Sequence, residues 1–182
     1  MSQYAKIRGQ HRRELVEVKR TRRIHVGPHV TLYFENYDTM WAQVQEMLYI
    51  ERGGDEQIEG ELSAYNPLIP QGNELIATMM IEIEDEGVRR RTLAGLGHIE
   101  TMVTLSFAGQ TVTAQPEDDV ERTTAEGKTS SVHFLHFSFT REQIAAFQQA
   151  GVQVALGITH PKYGHIAILP ESSRASLAAD FN

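Results

Sequence analysis

The sequence predicts an α+β fold: a mostly antiparallel sheet with helices packed on it, forming one domain over residues 24–182 behind a basic helical arm at 1–23. Three observations predict it. Stretches with period-two alternation and stretches with helical spacing follow one another too irregularly for a doubly wound parallel sheet. The 182 residues are enough to bury a core and include no cysteine, so the fold rests on packing without disulfides. Charge is also split. Residues 1–23 carry Lys6, Arg8, Arg12, Arg13, Lys19, Arg20, Arg22 and Arg23 against Glu14 and Glu17, a net of +6, whereas the remainder carries −13.

The elements follow in order. Residues 3–22 read as a helix with a modest apolar stripe through Ile7, Leu15, Val16 and Val18. In IHVGPHVTLYFE, Val26, Pro28, Val30, Leu32 and Phe34 alternate with Gly27, His29, Thr31, Tyr33 and Glu35, the pattern of one half-buried strand. Trp41, Val44 and Leu48 then mark a helix over 39–52, with Asp38 as its cap and Gly53 and Gly54 as its stop. A shorter helix covers 56–64, and YNPLIPQGN reads as a rigid surface loop. LIATMMIEIE is a strand with Leu75, Ala77, Met79, Ile81 and Ile83 on one face. EGVRRRTLAGLG is a helix with acid at its start and glycine at its end. HIETMVTLSF and QTVTAQ form a hairpin about Ala108 and Gly109, and 116–131 is the longest loop. SVHFLHFSF is a strand, and TREQIAAFQQAG is a helix capped by Thr140. VQVALGITHPKYGHIAIL is a pair of strands about the turn PKYG, and PESSRASLAADF is a closing helix.

Without cysteine the chain has no thiolate zinc site, no iron–sulfur ligation of its own and no cysteine nucleophile, so any metal must be held by His, Asp, Glu or backbone oxygen. Eight histidines direct attention to imidazole. His160 and His165 flank the PKYG turn. If Thr159 and Ile166 lie on paired strands, the two rings face each other at a spacing that suits a shared metal or anion; the alternative is two polar residues beside a tight turn. His133 shares an apolar face with Leu135, Phe137 and Phe139, as a satisfied core residue or as a ligand or general base. With His29 and Glu46, and with His98 in second rank, these residues make a candidate mixed His and carboxylate site for iron, zinc or manganese. Convergence of His29, His133 and His160 in one pocket is the geometric expectation. Glu-x-x-His repeats and His-Glu-x-x-His are absent.

Other signals are weaker. EGKTSS imitates the end of a phosphate loop, but Arg122 stands where the first glycine is required. Asp118, Asp119 and Glu121 form either a magnesium-type cluster or a solvated acidic turn. No serine sits in a Gly-x-Ser-x-Gly elbow. Met79, Met80 and the stripe at Trp41 read as core. There is no apolar h-region and no apolar run long enough for a bilayer, so a cytoplasmic location without membrane contact is the expectation. The basic arm is expected to dock on acidic surface of its own body or of a second subunit rather than on nucleic acid, since few aromatics interleave with its charges.

The strings VGPHVTLYFEN, TMWAQVQEML, ELSAYNPLIPQG, IATMMIEI, KTSSVHFLHF, GITHPKYGH and SLAADF, in that order, resemble an uncharacterised bacterial family, domain of unknown function 3501. The resemblance runs from about residue 20 to the C-terminus. It brings no catalytic residues with it. It implies a neighbourhood of rubrerythrin-like proteins and iron–sulfur oxidoreductases, and through them a metal-binding protein of redox or peroxide metabolism, or a noncatalytic module docking an electron-transfer partner.

Overall fold

The alternation through residues 24–35 is not one strand but two. In the computed structural model, which describes residues 2–117, 123–124 and 127–181, β1 (Arg23–Val26) and β2 (Val30–Glu35) form a hairpin that reverses at Gly27, Pro28 and His29. Gly27 has φ +69°, a region where side chains are strained. The sequence pattern conceals the turn because Val26 pairs with Val30, four residues on. An even offset keeps the same parity on the buried face, so the period of two runs through the reversal.

The other elements follow their local chemistry. Helix α1 (Ser2–Arg20) leads into β1. Helix α2 (Tyr37–Glu51) is capped by Asn36, not Asp38, because Asn36 accepts from the Thr39 amide while the Thr39 hydroxyl accepts from the Asn36 amide. Helix α3 (Asp55–Tyr65) runs into a short 3-10 turn, Asn66–Leu68. That turn is no surface loop, since Leu68 is buried against Met40 and Ile76. Strand β3 (Glu74–Ile81) and helix α4 (Glu86–Leu93) follow. Residues Ile99–Met102 form a 3-10 turn where a strand was expected. Strands β4 (Val103–Phe107) and β5 (Gln110–Thr113) then turn as predicted at Ala108 and Gly109, both at positive φ.

Strands β6 (Gln115–Pro116) and β7 (Val132–Ser138) lead to helix α5 (Arg141–Gln148), whose Thr140 and Gln143 make the expected capping box. Strands β8 (Val154–His160) and β9 (Tyr163–Ile168) and helix α6 (Glu171–Ala178) complete the order. Every strand pairing among the described residues is antiparallel. One sheet runs β1-β2-β3-β7-β6 and the other β5-β4-β8-β9. A single apolar core joins the two sheets: Leu32, Met79, Leu135 and Phe137 from the first meet Val103, Leu105, Leu156 and Ile158 from the second. Among the described residues no helix is long and apolar enough to cross a membrane.

Tyr163 ties the sheets together. From β9 its hydroxyl donates to the Val26 carbonyl at 2.8 Å and accepts from the amides of His29 at 2.8 Å and Val30 at 3.0 Å. Burial pushes this phenol's pKa up, with the two amide donors acting in the opposite sense. A Cβ on Gly27 would lie 2.8 Å from this hydroxyl and 2.5 Å from the His165 ring, so the turn has room only for glycine. Tyr163→Phe leaves a buried carbonyl and two amides without their partner. We expect it to lower stability by at least ~2 kcal/mol, read as a shift of the urea midpoint at unchanged slope.

Candidate functional site

The first sheet is covered on both faces, and the site lies on the face away from the common core. The register places Tyr33, Thr78 and Phe134 side by side across β2, β3 and β7, with Thr31, Met80 and Val132 in the next row. Helix α2 and the Leu68 turn roof this face through Met40, Gln43, Tyr65 and Leu68, enclosing a cavity of about 410 Å³. Met80, expected in the core, is half-buried and lines this cavity.

Glu35 ends β2 in the cavity wall and is only 8% exposed. Its two carboxylate oxygens accept from the hydroxyls of Thr39 and Thr78, each at 2.7 Å. Among the described residues no cationic side chain forms an ion pair with it. The adjacent Arg22 is engaged elsewhere. It donates to the carbonyls of Phe34 and Glu35, each at 3.0 Å, and to that of Ser176, and it pairs with Asp180. Burial raises the Asp180 pKa despite that pair. Lys19 also lines the cavity and is solvent-exposed. The arrangement is a desolvated anion in a largely apolar wall, the kind of place where a bound positive group is stabilised.

The residues singled out from sequence are dispersed. His29 lies in the β1–β2 turn, half-buried, its ring centroid 6.4 Å from that of Tyr163. His133 is fully buried on the opposite face, where Nε2 lies 2.9 Å from the Ser130 carbonyl and 3.1 Å from the Thr129 hydroxyl. A carbonyl only accepts, so Nε2 carries a proton. His160 and His165 do not face each other. The turn between β8 and β9 is tighter than expected, Thr159 pairs with Gly164, and His160 stands opposite Tyr163 while His165 stands opposite Ile158. His160 Nδ1 accepts from the Lys162 amide at 3.2 Å, and the His165 ring is edge-on to Tyr163 at 4.5 Å.

Glu46 belongs to the docking of α1. Arg8 grips both its oxygens at 2.8 Å, and the Tyr4 hydroxyl donates to it at 2.6 Å. Trp41 lies beside them, 5.8 Å from Tyr4 and 4.8 Å from His11 between ring centroids, so it serves this contact rather than the core. Among the described residues no group of three or more His, Asp or Glu side chains is placed to hold a metal ion. The expected donor set of His29, His133, His160, His165 and Glu46 therefore does not fit a metal centre. Asp118, Asp119, Glu121 and Arg122 lie outside the described residues.

Two carboxylates escaped the sequence reading. Glu100 is buried, its Oε2 at 3.7 Å from His133 Nδ1 and its Oε1 at 3.9 Å from the exposed His98. Reading 98–107 as one strand hid the turn that directs Glu100 inward. Glu35 was assigned to a solvated face. The available signal was a single carboxylate closing an otherwise uncharged strand, immediately before the Asn36 helix cap.

A family model described as a protein of unknown function, DUF3501, matches residues 1–181. The chain belongs to the DUF3501 family. Among solved structures, the crystal structure of a novel protein of unknown function from Burkholderia pseudomallei K96243 is similar at 38% identity and a TM-score of 0.91, covering 100% of this chain and 94% of that one. No curated protein matches the chain. Membership of DUF3501 thus confirms the resemblance read from the sequence strings and extends it over α1, which those strings did not reach.

The Glu46 contact sets a pH limit on α1. Hydrogen bonds from Arg8, followed by the one from Tyr4, hold its carboxyl down to about 2 from an ordinary 4.5, against the opposing effect of burial. A depressed carboxyl stabilises the folded arrangement fully above its free value and loses that contribution as pH falls through its folded value. Docking of α1 is therefore expected to weaken as pH drops from about 4.5 to about 2. The fluorescence of Trp41, the only tryptophan, reports the step, and Glu46→Gln should remove it.

Proposed function

We propose that this protein is a binding module for a small amphipathic amine, held in the cavity between the first sheet and α2. The observation that carries this reading is Glu35, a carboxylate 8% exposed, held by two hydroxyls and lacking a cationic partner among the described residues. An ammonium group would supply the missing charge where little water competes for it. The walls suit the rest of such a molecule: Met40, Met80 and Leu68 offer apolar surface, and Tyr65 and Phe134 add aromatic lining, while the Tyr33 ring already lies under the Arg23 guanidinium at 5.2 Å. Lys19 suits a ligand whose far end is anionic. A metal-binding redox role has less support, because its donors are dispersed and Glu46 is engaged by Arg8 and Tyr4.

Thermal denaturation and calorimetric titration with a panel of small primary and quaternary amines, each beside a neutral alcohol of the same shape, test the reading. A binding amine at a hundredfold excess over its Kd should add ~2.7 kcal/mol of stability, a rise of several degrees in Tm. The alcohols should add little. Glu35→Gln keeps the shape and one of the two acceptor oxygens, the hydroxyl that meets the new amide nitrogen turning to accept from it, and should abolish the amine effect. Equal stabilisation by amine and alcohol, or full retention of it in Glu35→Gln, would overturn the assignment.

A further inference from the structure

Helices α1 and α3 each pack one narrow stripe on the body and leave the rest of their surface exposed. Helix α1 spans 19 residues and, among those whose side chains are described, buries only Tyr4, with Arg8, His11, Leu15 and Val18 half-buried along the same stripe. Helix α3 buries no residue at all. Short helices in water gain most of their stability from a packed face, and each of these also carries apolar residues outside the stripe it packs: Val16 on α1, and Ile58 and Leu62 on α3.

The faces differ in charge. Helix α1 carries six cations and two acids. At 100° per residue, Arg13 and Arg20 fall with Val16 on the side away from Tyr4, Arg12 and Lys19 fall between Val16 and the docked stripe, and Glu14 and Glu17 fall to the other flank. Val16 is 63% exposed, and Gly9, one turn or two earlier on that side, leaves room for an approaching helix. Helix α3 carries four acids and no cation. Gln57, Glu61 and Tyr65 turn toward the body, and Ile58 and Leu62 stand outward, 38% and 41% exposed, beside Asp55 and Glu59. One face is an apolar residue ringed by cations, the other an apolar pair flanked by carboxylates.

We infer that the chain forms a two-fold homodimer in which the basic outer face of α1 packs on the acidic outer face of α3 of a second copy. The occupant is a second copy because the same chain presents both complementary faces, and a two-fold axis satisfies both at once: each α1 meets the other's α3. Like faces brought together would instead repel. This inference is independent of the cavity and of what the cavity binds.

Complementary charge reversal in the full-length chain provides the test, read by light scattering behind size exclusion and by sedimentation. The wild type should be a dimer that weakens as salt rises. Arg13→Glu with Arg20→Glu on α1, or Asp55→Lys with Glu59→Lys on α3, should each give a monomer that remains folded by circular dichroism. Mixed one to one, the two variants should recover a dimer of wild-type mass, since each acidified α1 then meets a basic α3 and each native α1 an acidic α3. A monomeric wild type at low salt, a dimer indifferent to both reversals, or failure of the mixture to reassociate overturns the inference. A monomeric wild type that instead captured duplex or single-stranded nucleic acid through α1 would also overturn it.

Discussion

A buried guanidinium organises this molecule. Arg22 is 3% exposed, and a charge so placed is tolerated only when its donors are satisfied. The acceptors come from three places: the carbonyls of Phe34 and Glu35 at the end of β2, the Ser176 carbonyl in α6, and the Asp180 carboxylate just beyond α6. The chain's two ends and its second strand are thereby fixed about one planar group. Burial outweighs pairing at Asp180, whose pKa is raised, so the pair is better understood as a positioning device than as a source of net stability. It fixes the end of β2 and with it the direction in which the Glu35 side chain leaves the backbone.

Around that point the fold works as two sheets sharing one core, with a second, smaller apolar layer between the first sheet and α2. The double coverage explains the cavity. A strand buried on one face alternates cleanly, but β2 is buried on both, and its second face must accommodate Thr31, Tyr33 and Glu35. Polar side chains confined there satisfy one another or remain as functional groups. Threonine hydroxyls at 39 and 78 do the first for Glu35 only in part, since hydroxyl donors solvate a carboxylate without neutralising it.

Much of the fold was legible in the sequence because most of its signals are local. The Thr140 capping box, the Ala108–Gly109 reversal and the apolar face of β7 each depend on residues near one another in the chain. The misreadings share one cause, a pattern whose local parity is right but whose long-range partner is not visible. The β1–β2 reversal preserves the alternation it interrupts. The histidines of the β8–β9 hairpin were placed by an assumed register that the two-residue turn shifts. The candidate site was less legible for the same reason: Glu35 owes its burial to α2 and to the Leu68 turn, and Glu46 owes its occupation to a helix some forty residues earlier. Residue type suggested ligands, whereas tertiary contact dispersed them and engaged Glu46, His133 and His160 with other groups.

The Thr39 hydroxyl holds two positions at once. It accepts from the Asn36 amide as part of the first turn of α2, and it donates to Glu35 in the cavity wall. Two turns further along the same helix, Glu46 holds Arg8 and Tyr4 of α1. The cavity floor, the start of α2 and the seat of the N-terminal arm thus share one continuous series of hydrogen bonds and rigid helix. A side chain that caps a helix also orients a carboxylate in the cavity wall, so the start of α2 and the geometry of Glu35 are set together.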